Sequence, residues 1–298
     1  MTSPGAAALS VIVRTLGSTG HLRDALESLA GQTRRDFEVV VVDMSAGDVE
    51  AVLAGVASRL PRLRHLAVGR RLSRPAALNA GVGAASARYI GILDDDNLYD
   101  PEHLERLVTG LDSTGADFVY TGVRLATFDE SGRQISRQEV AVPFNFERVI
   151  LANFVYATAS AYRKTMWERV GGYDERFVVL EDWDFIVRAA QAGTLVHLPV
   201  ISGESRKFTG IDGVSTFALE VGALRRCHAG FFWKHRHLHR GRSLAGIRAV
   251  TFEHCKSRYG ARSGLLALSI AGWRVELVAD LLSWWRRSLI PVDLEASD

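Results

Sequence analysis

Four short apolar runs, alternating with stretches of helical periodicity, fill the first 125 residues and constrain the fold more than any other feature. The runs are Leu9–Val13, Glu38–Val42, Arg64–Val68 and Tyr89–Leu93. Rich in β-branched residues, they suit strands buried on both faces. Between them, His21–Gly31, Asp48–Ser58 and Pro75–Ser86 carry helical patterns. Asp100-Pro101-Glu102 reads as one more helix start, with Asp100 as N-cap and Pro in the first turn. Repeated β-α units predict a parallel, doubly wound α/β sheet. In such sheets ligands bind beyond the carboxyl ends of the strands, so the residues that follow each run are the candidates for function.

Past Asp117 the pattern changes. Phe118–Phe128 and Gln134–Val140 flank the turn Asp129-Glu130-Ser131-Gly132 and predict a β-hairpin. Helical stretches follow at Arg163–Val170 and Asp182–Ala192, and from about Leu219 the chain reads as helices with no clear strand. A boundary is expected near 218, dividing a catalytic domain (1–218) from a helical, basic and aromatic extension (219–298). Charge supports it: residues 1–219 hold 23 basic and 27 acidic residues, whereas 220–290 hold 13 and 4. The two cysteines, Cys227 and Cys255, form neither a CxxC pair nor a zinc spacing, which excludes a disulfide framework and suits a reducing compartment. The first residues lack the basic stretch of a signal peptide. The most apolar segment, Leu265 to Leu282, is broken by Arg274, Glu276 and Asp280 and is too charged to span a bilayer. A cytoplasmic protein is expected.

Two acidic motifs carry chemistry. Asp94-Asp95-Asp96-Asn97 closes the fourth strand. Three adjacent carboxylates repel one another, and a hard divalent cation, Mg²⁺ or Mn²⁺, relieves that repulsion while sharing its coordination with substrate phosphates. Taken alone, such a run is as readily a solvated acidic loop. Glu181-Asp182-Trp183-Asp184 opens a helix. An acid there caps the helix and complements its dipole, or serves as a carboxylate base beside a substrate hydroxyl.

Taken in order, these segments resemble the family 2 glycosyltransferases. The resemblance runs from about Leu9 to Arg206 and rests on SVIVRT, VVVDMS, ALNAGVGAASARYIGILDDDN, VGGYDERF and LEDWDFIVRAAQAG. It implies the GT-A fold, a Rossmann-like nucleotide-diphospho-sugar transferase domain, here with a C-terminal helical extension. It further implies an inverting, metal-dependent transfer from a UDP- or dTDP-linked sugar to a hydroxyl of a glycan, lipid-linked or small-molecule acceptor. Asp94 and Asp96 match the acids of the family's DxD motif. Asp96 would be the direct ligand of Mn²⁺ or Mg²⁺. Asp94 would face the ribose or a metal-bound water, and Asp95 falls among the donor-binding residues. Thr15 and Asp43 match positions that contact the nucleotide base. Asp182 matches the general base, with Glu181 beside it orienting the acceptor region. Gly171 and Gly172 match a pair near the donor sugar, although a tight turn with positive φ explains them equally well.

The sequence also departs from the family. Its first strand ends Arg14-Thr15-Leu16-Gly17 where Pro-Thr-x-Asn is usual, and Met44 replaces the second acid after Asp43. Asn79 falls among the donor-binding residues; the arginine that often precedes it is Leu78, so Arg74, one helical turn earlier, is the candidate for the diphosphate contact. A histidine usual after the last core strand corresponds to Phe208, which leaves Arg206 and Lys207 as candidate phosphate partners.

The extension admits several readings. His235, His237 and His239 read as a basic solvated face, since their spacing splays them on a helix. Phe231-Phe232-Trp233, Trp284-Trp285-Arg286-Arg287 and the apolar stripe Leu266, Ile270, Trp273, Leu277, Leu281 and Trp284 suit the catalytic domain, a second subunit or the inner face of an anionic membrane. Gly17-Ser18-Thr19-Gly20 lacks the GxGxxG spacing of a nicotinamide enzyme. No Gly-rich Arg/Lys loop of a nucleotidyltransferase follows the first strand, and no helix-turn-helix, RRM-like or zinc-finger pattern points to nucleic acid. A catalytically inactive nucleotide-sugar-binding scaffold of the same fold is the remaining alternative.

Overall fold

A computed structural model describes residues 7–17, 19–45, 49–209 and 226–239. The first four runs form β1 (Leu9–Thr15), β2 (Phe37–Asp43), β3 (Leu63–Ala67) and β4 (Tyr89–Asp94), in the order β3-β2-β1-β4 with every pairing parallel. Every residue of β1 and β2 is buried, as expected of apolar strands covered on both faces. Edge strand β3, with Arg64 and His65, is only partly covered. The helices between them are α1 (Thr19–Ala30), α2 (Glu50–Ala57) and α3 (Arg74–Ala84). On α1, Leu22, Ala25, Leu26 and Leu29 recur at helical spacing and are buried. Ser73 caps α3 by accepting the Ala76 N–H, with Pro75 in the first turn. Gly81 lets α3 lie directly on the sheet: a Cβ there would stand 2.3 Å from Ile12 Cγ2.

Past β4 the sheet is mixed rather than purely parallel. It continues through the two-residue β5 (Leu98–Tyr99), α4 (His103–Thr114), β6 (Phe118–Phe128), β7 (Gln134–Val140), α5 (Phe146–Val149), β8 (Ser160–Arg163), α6 (Lys164–Val170), α7 (Glu181–Ala192) and β9 (Leu195–Phe208). Strand β8 runs antiparallel to both β4 and β6, while β9 is parallel to β6 and antiparallel to β5. The expected hairpin is β6–β7. Asp129 closes its turn by accepting the N–H groups of Ser131 and Arg133.

One helix start is corrected. α4 begins at His103, flanked by Glu102, which makes no side-chain cap. Asp100 is drawn away by the guanidinium of Arg124 on β6, whose Nη1 lies 2.9 Å from Asp100 Oδ2. A two-pronged charged pair outcompetes a single cap bond. β8 and β9 escape the sequence pattern. The β9 register shifts beside Gly122, and Pro199 sits in the interruption, where no ladder N–H is required.

By compactness, residues 1–149 and 153–224 form one unit, and residues 150–152 with 225–298 form another. Within the described part of the second unit, residues 226–234 are helical and Arg236–His239 form a 3₁₀ turn. The Phe231 and His235 rings lie 4.7 Å apart, and Arg236 lies 4.4 Å over Trp233. The expected boundary near 218, Cys255, the stripe from Leu266 to Trp284 and the pair Trp284-Trp285 lie outside the described residues.

Candidate active site

The parallel register brings the carboxyl ends of β1, β2 and β4 side by side, with Thr15 opposite Asp43 and Arg14 opposite Asp94. Thr15 is buried. Its Oγ1 accepts the Gly17 N–H at 3.0 Å, and its hydroxyl also bonds Asp95. Asp43 is buried beneath Ser45, whose N–H and hydroxyl donate to Oδ1 at 2.9 and 2.6 Å, and beside His65 Nε2 at 3.1 Å from Oδ2. Burial pushes its carboxyl up, but the bonds from Ser45 and the His65 ring outweigh that and hold it below the ordinary range.

Arg14, at the position where proline is usual, organises the centre. Only 9% exposed, its Nε donates to Asp94 Oδ1 at 2.8 Å and its Nη1 to Glu181 Oε1 at 3.1 Å. Burial opposes its charge, but the two carboxylates win and raise its pKa. Asp94, which burial would raise, is held below the usual carboxylate range by the charges of Arg14 and Arg74. The next two acids go the other way. Burial, joined by the charge of Asp94, raises Asp95 despite its bond from Thr15. Burial and the charges of Asp94 and Asp95 push Asp96 up to about 7. The loop that carries them is pinned from β9: the Arg206 N–H donates to Asn97 Oδ1 at 2.8 Å, and Arg206 Nε to the Asp96 carbonyl at 2.5 Å. Arg206 also pairs with Asp24 on α1, and its Nη2 has no hydrogen-bond partner among the described residues. Two residues on, Phe208 stacks on His21 at 4.3 Å, so an imidazole of α1 stands against the position where the family usually has a histidine.

The second motif opens α7. Leu180, before it, is the one non-glycine with positive φ (65°) among the described residues, a conformation that costs on the order of 1–2 kcal/mol. Glu181 is buried and held by two guanidinium groups, Arg14 and Arg74, the latter at 3.1 Å. It therefore ties β1 and α3 to α7, and Arg74 is directed to it. Asp184 is fully buried against Arg188. Asp182, half-buried, accepts from Asn153 Nδ2 at 3.1 Å and from the Trp183 N–H at 2.8 Å.

Asn79 is corrected as a donor contact. Its amide nitrogen donates to the Tyr173 carbonyl and Glu175, and its oxygen accepts from the Tyr173 N–H and Trp167 Nε1. That saturates the side chain. Asn79 thus fastens α3 to the turn at Gly171 and Gly172, which have φ of 76° and 73° and end α6. Arg14, Asn153 and His65 were not singled out by sequence reasoning for this site. The departure at Arg14 was visible. The others carried no local signal, because each meets its partner across the fold.

The acids fit a divalent cation only in part. Among the described residues no three His, Cys, Asp or Glu side chains form a metal cage. The donor set is oxygen-rich, and Asp96 is under strong repulsion from its neighbours. That suits a hard cation which completes its shell with water and phosphate oxygens.

A family model described as "Glycosyl transferase family 2" matches residues 10–170. The chain is 29% identical over 212 residues to the "PGL/p-HBAD biosynthesis glycosyltransferase" of Mycobacterium bovis, covering 68% of this chain and 78% of that relative. Among solved structures, S. aureus TarS 1–349 in complex with UDP-GlcNAc is similar with a TM-score of 0.59 at 19% identity, covering 86% of this chain and 74% of that one. The mannosyltransferase PcManGT from Pyrobaculum calidifontis, in complex with GDP-Man and Mn²⁺, has the same TM-score at 18% identity, covering 96% and 81%. At such identities the two structures show a shared fold.

Proposed function

This chain belongs to glycosyl transferase family 2 and is a glycosyltransferase, and from that premise we propose that it moves a sugar from a nucleotide diphosphate donor to an acceptor hydroxyl with inversion. The observation that carries the reading is Arg14, which ties the acidic loop after β4 to the start of α7 through Asp94 and Glu181. In this reading the donor site and the base lie on either side of one buried junction.

In this reading Thr15 and Asp43 meet the base, and Asp94 and Asp95 line the donor. Asp96, with Asp94, would hold Mn²⁺ or Mg²⁺, which supplies positive charge to the leaving diphosphate. Asp182 takes the acceptor proton as the acceptor oxygen bonds to the anomeric carbon from the face opposite the diphosphate. The bond from that carbon to the diphosphate breaks, and the nucleotide diphosphate leaves with the electron pair. One displacement needs one base and no protein nucleophile. The crystallised neighbours named for UDP-GlcNAc and for GDP-Man with Mn²⁺ support a nucleotide-sugar donor.

Thermal-shift titration with UDP, dTDP and GDP and their sugars, with and without Mn²⁺ or Mg²⁺, tests it. A ligand that binds only the native state raises the melting temperature by mass action. A metal-dependent rise with a nucleotide sugar is expected. No rise with any nucleotide diphosphate in either metal overturns the reading.

A further inference from the structure

The segment between α5 and β8 reaches the start of α7 through an asparagine that no motif marks. Asn153 is 4% exposed. Its orientation is settled by its two bonds: Oδ1 accepts the Val155 N–H at 3.1 Å, which leaves Nδ2 to donate to Asp182 Oδ2 at 3.1 Å. An amide turned the other way would set its oxygen against a carboxylate oxygen and its N–H₂ against an N–H. The other oxygen of Asp182 receives the Trp183 N–H. Trp183 is itself anchored, its indole N–H donating to the Val149 carbonyl at 2.5 Å. Both carboxylate oxygens are therefore held by donors whose own positions are fixed.

We propose that Asn153 is a positioning residue for Asp182, holding its carboxylate in one rotamer and in the ionised form that can accept a proton. The inference rests on the reading of Asp182 as the base. A neutral N–H donor favours the charged form of a carboxylate, because the protonated form gains less from that bond. A neutral donor also fixes orientation without the strong charge pairing that holds Glu181 and would cost a base its proton affinity.

Other charged and titratable groups surround Asp182. On α7 itself these are Glu181, paired with Arg14 and Arg74, and Asp184, paired with Arg188. Tyr173 lies close enough for the charge of Asp182 to raise its phenol, after burial. α5 carries Glu147 and Arg148, and α6 carries Lys164, Glu168 and Arg169. None of these is altered by a substitution at 153.

The cleanest variant is Asn153→Asp, which keeps an oxygen for the Val155 N–H and replaces only the donor with a second carboxylate. Carbon-13 NMR of Asp-labelled full-length protein follows the Asp182 carboxyl through a pH titration, its signal assigned by its absence in Asp182→Asn. The Asp182 midpoint should rise by roughly two units in Asn153→Asp, where two carboxyls share one site. It should rise by roughly half a unit in Asn153→Ala, the second variant, which loses the bond to Asp182 and the acceptor for the Val155 N–H but adds no charge. UDP release from UDP-GlcNAc with Mn²⁺, water standing in for the acceptor, gives the functional readout. A base must be ionised, so the rate of Asn153→Asp should be lowest at acid pH and recover as pH rises, whereas a loss from damaged packing would not recover. An Asp182 midpoint unmoved in both variants overturns the role of Asn153, even where Asp182→Asn abolishes UDP release. UDP release that survives Asp182→Asn overturns the reading of the base instead.

Discussion

Two carboxylates of the parallel sheet, Glu38 near the amino end of β2 and Asp94 at the carboxyl end of β4, are neutralised by opposite means. At the amino end, Glu38 on β2 is 4% exposed and receives the Ser10 hydroxyl at 2.5 Å, the Ser86 N–H at 2.6 Å and the Ser86 hydroxyl at 2.8 Å. At the carboxyl end, Asp94 and Glu181 are answered by Arg14 and Arg74, while Asp95 and Asp96 keep raised pKa values. Glu38, saturated by hydroxyl and backbone donors away from the carboxyl ends of the strands, is part of the fold rather than of the site. Asp96, left crowded by other acids, is where a cation would relieve the repulsion in the function proposed above.

The largest expected break in that contrast is at Asp96. Asp96→Ala removes the most strongly repelled of the three carboxylates, so the fold should survive while metal-dependent nucleotide binding is lost altogether. Calorimetric titration of UDP with Mn²⁺ checks it, with EDTA reproducing the loss in the unaltered protein. Metal-dependent binding retained by the variant would place the cation elsewhere.

Next in size is Asp182→Asn, which keeps the shape and removes the charge. A fall in kcat on the order of 10²–10⁴-fold is expected, with donor and metal affinity nearly unchanged. Steady-state kinetics beside nucleotide titration separates the two. A rate near that of the unaltered protein would reduce Asp182 to a helix-start residue.

Much of this was legible in the chain. The four strands β1 to β4 and their parallel pairing followed from alternating apolar runs, and the acids at their carboxyl ends followed from where such sheets bind ligands. The long β9 was not legible, because Pro199 and Gly203 interrupt its pattern at a register shift. Nor was Asp100, whose preference for capping lost to Arg124 24 residues away. Asn79 misled because its place in the motif is shared while its amide is consumed by the turn behind it. The site's internal wiring was the least legible part. Arg14 meets Glu181 across 167 positions and Asn153 meets Asp182 across 29, and no periodicity encodes such pairs.

Arg14→Met sharpens the contrast by stripping the carboxyl end of its buried cation. Removing one partner of a buried pair costs about 3–5 kcal/mol, because the remaining charges stay buried without their partner. Denaturant unfolding of the metal-free protein should show a loss of that order, and Asp94 would lose the charge that holds it ionised. A loss under about 1 kcal/mol would mean that Arg74 alone satisfies the cluster.

The smallest effect belongs to the amino end. Burial pushes Glu38 up, but the bonds from Ser10 and Ser86, aided by Arg64, overcome it and hold the carboxyl below its ordinary value. A carboxyl depressed in the folded state stabilises that state at pH values above its unfolded pKa. The contribution is lost as pH falls through the folded value. Glu38→Gln keeps the size and one acceptor but gives up the charge, and turns an N–H₂ toward hydroxyl and N–H donors. At neutral pH it should cost about 1.5 kcal/mol, the usual scale for hydrogen bonds to a charged group. The gap from the unaltered protein should close as pH falls below the ordinary carboxylate range, because Glu38 itself then becomes neutral. Denaturant unfolding at a series of pH values, with sugar transfer measured alongside, gives both readouts. Activity per folded molecule should not change, since the amino ends of the strands bind no substrate in this reading. A variant as stable as the parent at every pH would show that the serines satisfy a neutral side chain equally well, and the contrast between the two ends would then lie in packing rather than charge.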